Sequence, residues 1–219
     1  RSMVEVVREH STKVDASAFI FLKDGEVEES TLTFSMLDAQ ARAMAALLQN
    51  RLNEGDRVLL LFPSGQHFIV AFLGCMYAGM IAVPVSLPRR QQGLEKLWAI
   101  ASNCAAKLIL TDELSLHGLM PRLDASPQMQ AIPIVAVDAP RAENVAQLAE
   151  KWLPPSQHRS SIAFLQYTSG STGTPKGIAI THDNLLTNQQ MIKDAFAHGP
   201  ETVHVNWLPV HHDMGLVGN

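Results

Sequence analysis

Four short runs, Arg57–Phe62, Ile81–Leu87, Lys107–Thr111 and Ile132–Val137, are apolar at both odd and even positions. Successive side chains on a strand point to opposite faces, so such runs suit strands that are covered on both sides. Helical patterns separate them, at Gln66–Met80, Leu94–Asn103 and Leu114–Leu123, and another follows at Ala142–Trp152. Strands alternating with helices predict an α/β fold: a largely parallel sheet with crossover helices over residues 15–153. With 219 residues, 47% of them hydrophobic, the chain is long enough for one such core.

Ahead of the first run, Ser17–Leu22 and Glu28–Phe34 flank Lys23-Asp24-Gly25-Glu26 and predict a hairpin. Ser35 is the expected cap of the next helix, with Asp38 as its capping-box partner. Leu37, Ala41, Met44 and Leu48 then share one helical face, and Gly55 follows its end. From Phe68 to Val85 no residue is charged, but the strongly apolar part, Phe68–Ile81, has 14 residues. That length suits a core helix rather than a membrane span. The net charge of -4 provides no basic field for nucleic acid or an anionic membrane. Cys75 and Cys104 lie apart in apolar surroundings, as buried thiols of a cytoplasmic protein would. Residues 154–160 form a short linker, and residues 161–219 hold the segments that carry chemistry.

The first of these is Thr168-Ser169-Gly170-Ser171-Thr172-Gly173-Thr174-Pro175-Lys176-Gly177, between apolar strands at Ile162–Tyr167 and Ile178–Ile180. Glycines let backbone N–H groups close on an anion, hydroxyls add neutral donors, and Lys176 adds a point charge. The loop is not a Walker loop. Counting from Gly170, Pro175 stands where the second glycine belongs, and Gly177 rather than Ser or Thr follows Lys176. The second segment is Trp207-Leu208-Pro209-Val210-His211-His212-Asp213-Met214-Gly215-Leu216. His204, His211, His212 and Asp213 crowd together there without a recognised metal-ligand spacing. Thr181 reads as the N-cap of a helix to Phe196.

Together these segments resemble the adenylate-forming superfamily of acyl-CoA synthetases, luciferases and peptide-synthetase adenylation domains. The stretch Tyr167–Gly177 is similar to its signature loop, and His212-Asp213-Met214-Gly215-Leu216 is similar to the fatty acyl-AMP ligase branch. Thr31–Asp38 and Phe68–Gly79 match the start of that branch. The resemblance implies an incomplete N-terminal large domain, residues 1–219. The family's later adenine, ribose and C-terminal lysine motifs are not found in this sequence, so the isolated chain is expected to be inactive.

The resemblance further implies that a fatty acid carboxylate attacks the α-phosphorus of ATP, giving acyl adenylate and pyrophosphate. Thr168, Ser169, Gly170, Ser171, Thr172, Gly173, Thr174, Lys176 and Gly177 would hold the nucleotide phosphates. Mg2+ would bridge phosphate oxygens, and Thr172 would reach it indirectly. His212 would act beside the reacting carboxylate and α-phosphate, with Lys176 as the second catalytic group; His211 is the alternative inward-facing histidine. Asn206, Trp207, Leu208, His211, Met214 and Gly215 would contact the acyl chain, with core packing as the alternative for Trp207. The acyl acceptor would be the phosphopantetheine of an acyl carrier protein, with CoA as the alternative. A binding module without turnover is a third reading, against which the intact loop argues.

Overall fold

The structure is a computed structural model that describes all residues except 13–15, 89–90, 124–130, 139–141, 169–174 and 219. The chain opens with α1 (Met3–Ser11), a helix the sequence reading did not anticipate. Ser2 caps it: its side chain accepts from Glu5 N, and the Glu5 carboxylate accepts from Ser2 N in return. Strands β1 (Ser17–Lys23) and β2 (Val27–Thr33) form the expected antiparallel hairpin around Asp24 and Gly25, both with positive φ.

Helix α2 (Phe34–Gln49) corrects the expected cap. Thr33, not Ser35, is the N-cap, and its Oγ1 accepts from Met36 N at 3.2 Å. Asp38 is no capping partner. It is buried, accepting from Tyr77 Oη at 2.9 Å and from Arg42 Nε at 2.8 Å. A charge in the interior requires such partners, and these tie α2 to α3 (Gln66–Tyr77). Trp152 closes the cluster, with Nε1 donating to Tyr77 O at 2.7 Å and the Arg8 guanidinium 4.9 Å above its ring.

The remaining elements follow the predicted alternation. They are β3 (Arg57–Leu61), β4 (Ile81–Pro84), α4 (Gln91–Asn103), β5 (Leu108–Thr111), α5 (Glu113–Leu123), β6 (Ile134–Ala136) and α6 (Ala142–Glu150). Then come β7 (Ile162–Thr168), β8 (Lys176–Thr181), α7 (His182–Phe196) and the single turn α8 (Asp213–Leu216). The main sheet has the order β6-β5-β3-β4-β7-β8, parallel except where β7 meets β8. Some bounds are tighter than expected: β4 stops at Pro84 rather than Leu87, and Trp152 lies beyond α6.

Alternate residues of β3 face different cores, as its unbroken apolar run requires. Val58 and Leu60 join Leu37, Met44, Phe68, Met76 and Tyr77 on one side. Leu59 and Leu61 join Leu94, Leu97, Ile100 and Leu119 on the other. These four β3 side chains, Val58 to Leu61, are at most 1% exposed, so each contributes roughly 1.5–3 kcal/mol of burial. Cys75 and Cys104 are free and buried, as expected. Among the described residues, no helix is long and apolar enough to cross a membrane.

Candidate functional site

In a parallel sheet the strands' carboxyl ends leave a crevice where ligands bind. Here a cleft of about 360 Å³ lies at the ends of β4 and β7. Pro84, Val85 and Ser86 form its β4 wall, Gln166, Tyr167 and Thr168 its β7 wall. Lys96 and Ile100 reach it from α4, and His211, His212 and Asp213 close it. Lys96 and Ile100 are four apart, and therefore on one helical face.

Thr168 is the last residue of β7 and pairs in register with Lys176, the first of β8. The two thus hold the mouth of the signature loop, and Lys176 is exposed. Ser169, Gly170, Ser171, Thr172, Gly173 and Thr174 lie outside the described residues. Gly177 has a packing reason for its identity: an added Cβ would lie 2.8 Å from Tyr167 Cζ. The Tyr167 hydroxyl donates to Asn103 Oδ1 at 2.5 Å, and burial pushes its pKa up to about 12. Tyr167 therefore stays protonated and acts as a donor.

The histidine segment is braced by three side chains. Gln166 Nε2 donates to His211 O at 3.0 Å, Ser64 Oγ accepts from Val210 N at 3.4 Å, and Asn206 Oδ1 accepts from Leu208 N at 2.8 Å. His212 N donates to Pro209 O at 3.0 Å, which folds the turn back on itself, and His212 then caps α8. Gly215 is buried against that turn, where a Cβ would meet Pro209 O at 2.3 Å. The two imidazoles sit together, ring centroids 4.7 Å apart, with His212 the more exposed.

Of the residues expected to meet the acyl chain, His211 lines the cleft, while Asn206, Leu208 and Gly215 shape the turn behind it. Trp207 and Met214 stand outside the cleft, 87% and 62% exposed. The reading of Trp207 as core is thereby overturned, because the segment carrying it runs over the surface. Among the described residues no group of three or more His, Cys, Asp or Glu side chains could hold a metal ion. The oxygens of Thr168 and Asp213 suit a hard cation that arrives with phosphates rather than one caged by protein. Sequence reasoning missed Lys96 and Gln166. For Gln166 the signal was one amide in an otherwise apolar strand; for Lys96 there was none.

Comparisons with known proteins agree with this fold. The profile of the family described as AMP-binding enzyme matches residues 7–219. A medium-chain-fatty-acid–[acyl-carrier-protein] ligase, JamA of Moorena producens, is 39% identical over 91% of this chain and 34% of its own length. A long-chain-fatty-acid–AMP ligase, FadD32 of Mycolicibacterium smegmatis, is 36% identical over 98% of this chain and 34% of its own. The crystal structure of a fatty acyl-adenylate ligase from L. pneumophila, in complex with acyl adenylate and pyrophosphate, superposes with a TM-score of 0.86. It is 40% identical, with 99% of this chain and 37% of that one covered. The chain thus spans about a third of the length of the curated relatives it matches.

Proposed function

The chain belongs to the AMP-binding enzyme family, and from that premise we propose that it carries part of the active site of a fatty acyl-AMP ligase. In this reading the magnesium complex of ATP and a fatty acid are the substrates. A carboxylate oxygen bonds to the α-phosphorus, the bond from that phosphorus to the bridging oxygen breaks, and pyrophosphate leaves. Attacker and target are both anionic, so the site must offset charge and hold the two in line.

One observation carries the proposal: Thr168, at the mouth of the signature loop, lines the same cleft as His211, His212 and Asp213. A single adenylate can then meet loop and histidines together. Lys176 and the loop's donors, Ser169 to Thr174 and Gly177, would take the departing phosphates. His212 would donate to the charge developing at the carboxylate and α-phosphate. Trp207 and Met214, exposed outside the cleft, would flank the acyl chain, with Asn206, Leu208 and Gly215 shaping the turn that carries them; burial of the chain is worth about 0.8 kcal/mol per methylene. The names of the relatives favour a fatty acid substrate and an acyl carrier protein as acceptor. Use of ATP fits a cytoplasmic reaction.

The test is fatty-acid-dependent ATP–pyrophosphate exchange by the full gene product carrying this chain. Lys176→Met is expected to slow it on the order of 10²–10³, the cost of one preorganised donor. An enzyme showing no such exchange, or a Lys176→Met variant as fast as the parent, would refute the proposal. Acyl transfer to holo carrier protein in competition with CoA settles the acceptor.

A further inference from the structure

The peptide joining His211 to His212 is gripped from both sides. Its carbonyl accepts from Gln166 Nε2 at 3.0 Å, and its N–H donates to Pro209 O at 3.0 Å. A peptide is planar, so two bonds of opposed direction set its orientation and the Cα from which the His212 side chain departs. Pro209 belongs to the turn itself. Gln166 belongs to β7 and refers the turn to the sheet.

Gln166 is an odd choice for packing alone. It is 5% exposed and follows Phe164 on one face of β7, where Phe164 is fully buried and meets Phe72 edge-on at 5.5 Å between centroids. Among the described residues, the Gln166 Oε1 is buried there with no hydrogen-bond partner. An unpaired acceptor in the interior opposes folding, and methionine would fill similar space without one. What the carboxamide offers and methionine lacks is the N–H donor that holds His211 O.

We infer that Gln166 is a positioning residue for adenylate formation: its carboxamide holds the His211–His212 peptide so that the His212 imidazole faces the reacting carboxylate and α-phosphate. The inference rests on the adenylation reading, because Gln166 acts through His212. A residue of this kind leaves a distinctive pair of effects. Its loss costs rate but not stability, and the loss vanishes once His212 is gone.

The experiment uses the full gene product with Gln166→Met, Gln166→Glu, His212→Ala and the double variant Gln166→Met/His212→Ala. Single-turnover formation of acyl adenylate is read beside thermal melting. Gln166→Met is expected to melt at or above the parent temperature and to slow adenylate formation roughly ten- to a hundredfold. The KM for ATP is expected to stay within about twofold of the parent's. Gln166→Glu, an acceptor without the donor, slows the step as well. The double variant is expected to match His212→Ala, because two residues acting as one unit are not additive. The inference is overturned by a Gln166→Met variant with parent rate, by one whose melting temperature falls with its rate, or by additive losses in the double variant. A parent that forms no acyl adenylate from ATP and fatty acid sinks the adenylation reading itself, and this inference with it.

Discussion

Gly215→Ala tests the site's geometry at its tightest point. A Cβ on residue 215 would lie 2.3 Å from Pro209 O, 2.9 Å from Pro209 C and 3.0 Å from Leu208 O. Close carbon–oxygen contacts in proteins run at roughly 3.3–3.6 Å, so relieving the shortest takes a shift of about 1 Å. All three obstacles are backbone atoms, and no rotamer change can move them. Either α8 backs away from Pro209 or the turn from Pro209 to His212 is pushed aside. Both displace His212 relative to Thr168 across the cleft. Overpacking of this kind costs about 1–3 kcal/mol of stability, while a ~1 Å misplacement of a reacting group costs on the order of a hundredfold in rate. Around the clash only the partly buried Val210, Leu216 and Val217 pack on the core, at its edge, so the loss of rate should dominate. The assay is fatty-acid-dependent pyrophosphate exchange at saturating ATP, with the melting temperature measured on the same sample. A Gly215→Ala rate within about threefold of the parent's would refute the reasoning, since the turn would then have absorbed the methyl group without moving His212.

Gly177→Ala makes a gentler counterpart, because its obstacle is the far end of the Tyr167 side chain, at 2.8–3.0 Å. The ring can tilt at the expense of its bond to Asn103, and the expected cost is about 1 kcal/mol by urea denaturation; a variant less stable than Gly215→Ala would contradict this. His182 predicts a pH dependence of folding. It is fully buried, its Nδ1 accepts from Met3 N at 3.3 Å, and its Nε2 lies 3.0 Å from Gln157 Oε1. Burial lowers its pKa, with the nearby Glu5 charge opposing in part. The unfolded chain therefore binds a proton before the folded one does. Stability is full above about pH 6.5, the ordinary histidine value, and is lost as pH falls from there towards the lowered folded value. Urea denaturation over that range should show the decline, and His182→Gln should flatten it; an unchanged slope in the variant would count against the assignment.

Where the sequence could be read, a local pattern carried the information. The uninterrupted apolar runs at Val58–Leu61 and Leu108–Thr111 announced strands with two covered faces, and two separate cores do cover them. The cap at Thr181 was legible because its partner, Asn184, is three residues away. Two of the misreadings have the opposite property, a partner far along the chain. Asp38 resembled a capping residue, but it serves Tyr77, 39 positions along the chain. Helix α1 was missed although its signals are local: Ser2 and Glu5 form a capping box, and Met3, Val4 and Val7 share the face that meets the core. The lone amide of Gln166 in an apolar strand marked the position, but its role depends on His211, 45 residues later. Motif spacing named the two halves of the candidate site; the wall from α4 exists only once the chain has crossed over the sheet.

The bond from Met3 N–H to His182 spans 179 residues. At translation rates of 5–20 residues per second, the nascent α1 waits roughly 10 to 35 s for that acceptor to emerge from the ribosome. Met3 and Val7 can settle against α2 and α3 meanwhile, but the helix's entry stays unlatched. Until residue 182 emerges, α1 lacks this anchor and is more open to proteases and chaperones than in the finished fold.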